Sequence, residues 1–282
     1  MKNPWQEFEY NSNDRQHVLK DDEEAIKALE EGIKKKWDHD KTQKEYDEYR
    51  LRLNLLPEPF VGHKDAPIYL LNLNPGYDEM NDIEMKVIKK YIIRNNKQEN
   101  EKDDYPFYWL DPKLKSELKE LEKNKKKGGK YKDGCEWWKE KLKWLVKAVK
   151  DKTGKDENEC YKLVSKKIFC IEYFAYHSNR YDKALFKKIW KNNDDKIVVS
   201  SQKYNKYLIE EAIKKGKLFI IIRAREEFST QIEKLEKYIG KGNVFFLNCP
   251  VGAYISEANI DNCKKNEGKN GWKKIIEKIL EK

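Results

Sequence analysis

The chain has 282 residues, enough for one large domain or two small ones, with 38% hydrophobic residues, 39% charged residues and a formal net charge of +10. Its 8 Trp, 17 Tyr and 10 Phe supply far more core material than a disordered chain carries. No apolar run approaches the roughly 18 residues needed to span a bilayer, and residues 1–7 lack the apolar stretch of a signal peptide, so a cytoplasmic location with no membrane partner is expected.

The basic balance permits phosphate binding without demonstrating it. Only seven of the 60 basic residues are Arg, and the lysines are interspersed with 50 acidic residues. The five cysteines are odd in number and show no CxxC spacing, which argues against a zinc site or a disulfide framework. Cys160, Cys170 and Cys249 lie beside apolar or strand-like residues and read as reduced core positions.

In chain order, residues 1–60 read as a helical N-terminal extension. Asp21 to Glu24 opens a helix with Ile26, Leu29 and Ile33 on one face, and a second amphipathic stretch carries Tyr46, Tyr49, Leu53 and Leu56 until Pro57 and Pro59 end it. Residues 67–73 form an apolar run that suits a parallel strand buried on both faces, and Pro75 ends its pairing. A helical insert is expected near residues 100–150. Within it, Pro106-Phe107-Tyr108-Trp109 supplies either core or a ring on which a base stacks, and Trp137, Trp138 and Trp144 have core-like helical spacing. Lys123 to Lys132 is a charge-dense run with two glycines, read as a solvated loop or a phosphate contact.

Three further strands are expected at 167–172, 218–222 and 244–247, with helices near 200–213, 226–238 and 271–280 between and after them. Strands alternating with helices predict an α/β fold over residues 61–282, a three-layer α/β/α sandwich around a four-stranded parallel sheet. In such sheets ligands bind beyond the carboxyl ends of the strands. Those ends carry Asn72, Asn74, Pro75, Gly76 and Tyr77; then Glu172, His177 and Ser178; then Arg223; and finally Asn248, Pro250 and Gly252. His177 suits an acid or a phosphate-orienting group, or a satisfied structural histidine. Walker, GxGxxG and GxSxG motifs are missing from the strand ends, so the usual ATP, dinucleotide and serine-nucleophile chemistries lack their frameworks.

Over residues 65–260 this pattern resembles the uracil-DNA glycosylase superfamily, above all its mismatch-specific branch, whose first motif is Gly-Ile-Asn-Pro-Gly and whose last is Asn-Pro-Ser-Gly. Asn74-Pro75-Gly76 matches the first motif, with Asn72 in place of the leading Gly. Asn248, Pro250 and Gly252 approximate the last, with Cys249 as an extra residue and without the His of the uracil-specific branch. The resemblance implies a base N-glycosylase acting on a modified or mismatched base in nucleic acid, DNA rather than RNA, as a monomer and without a cofactor. Asn74 would position water, and Phe107 or Tyr108 would stack on the base. Glu172 stands where the uracil-specific members carry a base-reading Asn. An ionised carboxylate only accepts hydrogen bonds, which disfavours ordinary uracil. A catalytically silent nucleic-acid or nucleotide-binding module on the same scaffold is the alternative.

Overall fold

The computed structural model describes residues 1–10, 16–37, 43–77, 81–123, 133–186, 199–239, 242–250, 252 and 254–281. The lysine-rich run beyond Lys123 lies outside them.

The architecture is mixed α/β. Two N-terminal helices, α1 (Glu23–Trp37) and α2 (Gln43–Tyr49), precede strands β1 (Phe60–Gly62) and β2 (Ile68–Asn72). Helices α3 (Asn81–Lys97), α4 (Pro112–Lys123), α5 (Gly134–Thr153) and α6 (Glu157–Lys167) lead to β3 (Ile168–Glu172). Then come α7 (Ser200–Lys214), β4 (Leu218–Ile221), α8 (Arg225–Gln231), α9 (Glu233–Ile239), β5 (Val244–Phe246), α10 (Glu257–Asp261) and α11 (Gly271–Leu280).

The sheet order is β1-β3-β2-β4-β5, and β2, β3, β4 and β5 run parallel. The expected four strands are therefore present, but the sheet has five. The additional β1 pairs antiparallel with β3, Phe60 opposite Ile171 and Gly62 opposite Phe169. Three residues squeezed between Pro59 and His63 are too few to show an alternating pattern, which is why the sequence does not announce this strand.

Side-chain alternation divides the core into two. Ile68, Leu70, Cys170 and Ile220 pack on one face with α3, α4, α5, α6 and α11. Tyr69, Leu71, Phe169, Ile171 and Phe219 pack on the other with α1, α7, α8 and α9. The N-terminal segments join this second layer through Trp5, Leu19, Ile26, Leu29 and Ile33, while Tyr10 and Leu56 pack in the first. Their anchor is Asp22, fully buried, whose carboxylate accepts from the Ser200 backbone N–H at 2.5 Å, the Ser200 hydroxyl at 2.8 Å, Ser201 at 3.2 Å and Tyr176 at 2.7 Å. Val199 makes no side-chain cap for α7, so Asp22 caps that helix from a distant point in the chain.

Both outer strands end against asparagine side chains. Asn95 accepts from Gly62 N–H at 2.8 Å and donates to Phe60 carbonyl at 2.5 Å, while Asn100 donates to Gly62 carbonyl at 3.1 Å. At the far edge Asn266 accepts from Phe246 N–H at 3.0 Å and donates to its carbonyl at 2.7 Å. Each amide offers the donor and acceptor that another strand would offer.

Other expectations change in detail. α2 stops at Tyr49 rather than running to Leu56, and Leu53 and Leu56 are buried in an irregular segment instead. The helix expected over 226–238 is two helices broken at Ile232. Cys249, expected in the core, is exposed, whereas Cys135, Cys160, Cys170 and Cys263 are buried. Trp138 is core, but Trp144 is 44% exposed. Among the described residues no helix is long and apolar enough to cross a membrane.

Candidate functional site

The chain leaves β2 for β3 on one side and later returns to β4 on the other, so the order reverses at the carboxyl ends of β2 and β4. Splayed connections at such a point leave a crevice. A cleft of about 950 Å³ opens one strand further along, beyond the carboxyl ends of β4 and β5, lined by Arg223, Ala224, Arg225, Phe246, Asn248 and Pro250, with Lys264 and Lys265 from the segment after α10. Backbone bonds set its wall: Ile222 and Arg223 N–H both donate to the Leu71 carbonyl, at 2.9 and 3.2 Å. Ala224 follows in the left-handed region, φ 59°, a conformation that costs an alanine about 1 kcal/mol and turns the chain sharply into α8. Arg223 and Arg225 flank this kink.

The cleft is mainly cationic, with Glu226 the one acidic side chain in its described lining. Arg223, Arg225, Lys264 and Lys265 belong to no ion pair among the described residues, although many surface lysines do. The Arg225 guanidinium lies 4.7 Å from the Phe246 ring centroid and Lys265 Nζ lies 5.4 Å from it. Lys183 also lines the cleft but is held by Glu227 at 2.9 Å. Asn248 is exposed in the lining, and its backbone N–H donates to the Asn259 carbonyl at 2.8 Å. Asn259 further clamps the loop by accepting from Cys249 N–H at 2.6 Å and donating to the Tyr254 carbonyl at 2.7 Å. Gly252 packs close to Tyr254, where an added Cβ would meet the ring at 3.0 Å.

Of the remaining candidates, Asn72, Glu172, His177, Ser178, Phe107 and Tyr108 are buried outside the lining of the cleft, whereas Asn74, Pro75, Gly76 and Tyr77 are half-buried. Asn72 and Glu172, opposite each other on β2 and β3, are 4% and 3% exposed, and Asn72 Nδ2 donates to Glu172 Oε1 at 3.0 Å. Asn72 Oδ1 and Glu172 Oε2 are buried and have no hydrogen-bond partner among the described residues. Burial pushes the Glu172 carboxyl up to about 8, the nearby Glu58 adds to this, and the Asn72 hydrogen bond and Arg223 oppose it. At neutral pH the group is then mostly protonated, with a hydroxyl donor and a carbonyl acceptor. A protonated carboxyl would offer a donor as well as an acceptor, unlike the acceptor-only group expected from the sequence.

Glu58 is the functional-looking residue that the strand ends do not reveal. It is buried, its carboxyl is raised by desolvation against the lowering effect of His177, and it accepts from Tyr108 Oη at 2.5 Å. Its signal is visible in the sequence: a charged residue between Pro57 and Pro59 inside an apolar stretch. Tyr108 and Phe107 are both core, Phe107 packing edge-on against Trp138 at 4.8 Å, so neither ring presents a face for stacking in this conformation.

His177 is 1% exposed. Its Nδ1 meets the Gly76 carbonyl at 2.8 Å, its Nε2 meets the Leu56 carbonyl at 2.9 Å, and Glu58 Oε1 lies 3.6 Å from Nε2. Both ring nitrogens are occupied by backbone carbonyls, with the Glu58 carboxyl beside one of them. The ring thus pins the Pro75-Gly76 turn to the segment before β1. Asn74 is held by the same loop, its Nδ2 donating to the Ser178 carbonyl at 2.9 Å and approaching Ser178 Oγ at 3.3 Å. Its Oδ1 remains as the acceptor suited to a water. Gly76 has φ +72° and open space around its α-carbon, and the Tyr77 ring lies 4.1 Å from the Arg52 guanidinium.

The strand ends thus deliver two groups, an open cationic cleft and a buried acidic and amide network, joined through Arg223. No group of three His, Cys, Asp or Glu is placed to hold a metal among the described residues. No family model, curated protein or solved structure matches the chain.

Proposed function

We propose that the chain binds the phosphates of a nucleotide or nucleic acid in the cleft at the carboxyl ends of β4 and β5. The observation that carries this reading is the quartet Arg223, Arg225, Lys264 and Lys265, unpaired among the described residues, around one concave site beyond the carboxyl ends of β4 and β5. Arginine forks match phosphate oxygens, and Phe246 restrains one of them against flexing. Fluorescence anisotropy with a labelled single-stranded DNA over a range of salt concentrations tests it. The Arg223→Ala, Arg225→Ala double variant is expected to bind more weakly, with its salt slope reduced by about 0.7 to 0.9 for each phosphate that is no longer neutralised. An unchanged slope would leave the cleft without its proposed ligand.

A second, enzymatic reading is favoured by the Asn74-Pro75-Gly76 turn, whose Asn is fixed through its amide nitrogen by Ser178. In a base N-glycosylase acting on DNA as a monomer, Asn74 Oδ1 would orient water toward the anomeric carbon and the neutral Glu172 carboxyl would meet the departing base. The base would have to reach Glu172 by opening the Asn72 hydrogen bond. Oligonucleotides carrying modified and mismatched bases, uracil among them, should be screened for abasic-site formation. Asn74→Ala is expected to lower turnover by about 100-fold or more while nearly preserving affinity, because an oriented water matters chiefly in the transition state. Glu172→Gln should change which base is released. If no base is released, the binding reading stands and the enzymatic one does not.

A further inference from the structure

Besides the terminal Met1, Trp144 is the one large hydrophobic residue that the described chain leaves well exposed. The other apolar residues of α5 are buried in the core, as are Leu142, Leu145, Val146 and Val149, or pack partly against it, as do Trp137 and Ala148, so packing gives no account of Trp144. Lys143 Nζ and Lys147 Nζ lie 5.3 and 5.6 Å from its ring centroid, and both lysines are exposed and in no ion pair among the described residues.

A second ring stands alongside. Lys143 Nζ is also 5.3 Å from the Tyr254 ring, which Lys141 approaches at 4.3 Å. Tyr254 is fixed there by its hydroxyl donating to Glu140 Oε1 at 2.6 Å, and the next residue, Ile255, donates its N–H to the Lys141 carbonyl at 3.0 Å. Pro250, four residues earlier, lines the cationic cleft, so no more than about 14 Å of backbone separates that wall from Tyr254.

Aromatic faces interleaved with cations, a few residues along the chain from a cationic cleft, are what binders of single strands use: bases stack, phosphates meet lysine, and sequence matters little. A protein partner fits less well, because the centres of protein interfaces are depleted in Lys. We propose that a single-stranded nucleic acid leaves the cleft over Tyr254 and stacks a base on Trp144, with its phosphates on Lys143 and Lys147. This rests on the cleft being a phosphate site.

The test uses the full chain and two fluorescein-labelled thymidine ligands, a dinucleotide and an oligomer of about 12 nucleotides, a length within the usual range for single-strand sites. Trp144→Ala is expected to weaken the oligomer about tenfold and leave the dinucleotide unchanged. Trp144→Phe should keep most of the oligomer affinity, and the oligomer should quench tryptophan emission more in the unaltered chain than in Trp144→Phe. Lys143→Ala with Lys147→Ala should lower the salt slope for the oligomer alone. Oligomer affinity untouched by Trp144→Ala, or an equal loss for both ligands, overturns the path while leaving the cleft reading intact. If Trp144→Ala matters but Arg223→Ala with Arg225→Ala does not, the cleft reading fails and the aromatic surface stands alone. Binding of neither ligand removes both.

Discussion

Glu172 is the residue at which sequence logic and folded environment diverge most. Its side-chain type says anion, but burial, aided by the nearby Glu58, pushes its carboxyl up to about 8. In the unfolded chain its proton leaves near 4.5, in the fold near 8, so the native state binds the extra proton between those values. Its contribution to stability is complete below 4.5 and is lost as the pH rises through 8. Asp22 and Glu58 are shifted upward by burial too and add to the slope. Glu172→Gln should flatten the fall in urea-unfolding free energy between pH 5 and pH 8, with a difference from the unaltered chain on the order of a few kcal/mol. Parallel pH profiles for the two proteins would mean that Glu172 is ionised in the fold. Ala224 offers a second residue-scale test. Ala224→Gly relieves a left-handed alanine at some cost in chain entropy, so its stability should be unchanged or raised by up to about 1 kcal/mol. Ala224→Val, β-branched in the same conformation, should lose about 2 kcal/mol or more and weaken ligand binding by displacing Arg223 and Arg225. Equal stabilities for the two variants would show that the kink stores no strain.

At the scale of elements, the clearest expectation concerns the cap that α7 receives from Asp22. Asp22→Ala strands a backbone N–H and three hydroxyls in a dry site and should cost about 2 to 4 kcal/mol by thermal or urea unfolding. Asp22→Asn, which keeps one acceptor oxygen, should lose roughly half as much. A surface-like loss below about 0.5 kcal/mol would mean that the first helices dock without this anchor. The four parallel strands were legible because each is a run of Ile, Leu, Phe and Val bounded by polar or turn residues, the pattern of strands covered on both faces. Helix α11 was legible from its periodicity alone. β1 was not, because its three residues are held by partners on β3 and α3 far away in the chain. Nor was the early end of α2, since Leu53 and Leu56 find the core without helical geometry. Trp144 escaped for the opposite reason: its spacing suits a wide helical face, and only the tilt of α5 decides which of its three tryptophans that face includes.

For the whole molecule, the candidate positions were legible as a set and not as an arrangement. Alternation of strands and helices placed all but Phe107 and Tyr108 at one end of the sheet, yet it could not separate the residues that line the cleft, Arg223, Asn248 and Pro250, from those sealed beside it, Asn72, Glu172 and His177. That division depends on which face each last strand residue takes and on Glu58, which arrives from outside the parallel strands. The two asparagine-closed margins of the sheet bear on a different matter, the behaviour of the protein in concentrated solution. An open margin recruits strands from neighbouring molecules, and a sheet this rich in aromatic and branched side chains would make a persuasive template for fibrils. Asn95 and Asn266 occupy those hydrogen bonds with groups too short to be extended by another chain. Asn95→Leu and Asn266→Leu should therefore raise light scattering and thioflavin fluorescence on prolonged incubation, together with a loss of stability from the buried backbone groups each leaves unpaired, and unchanged scattering would mean that the margins stay covered without the two carboxamides.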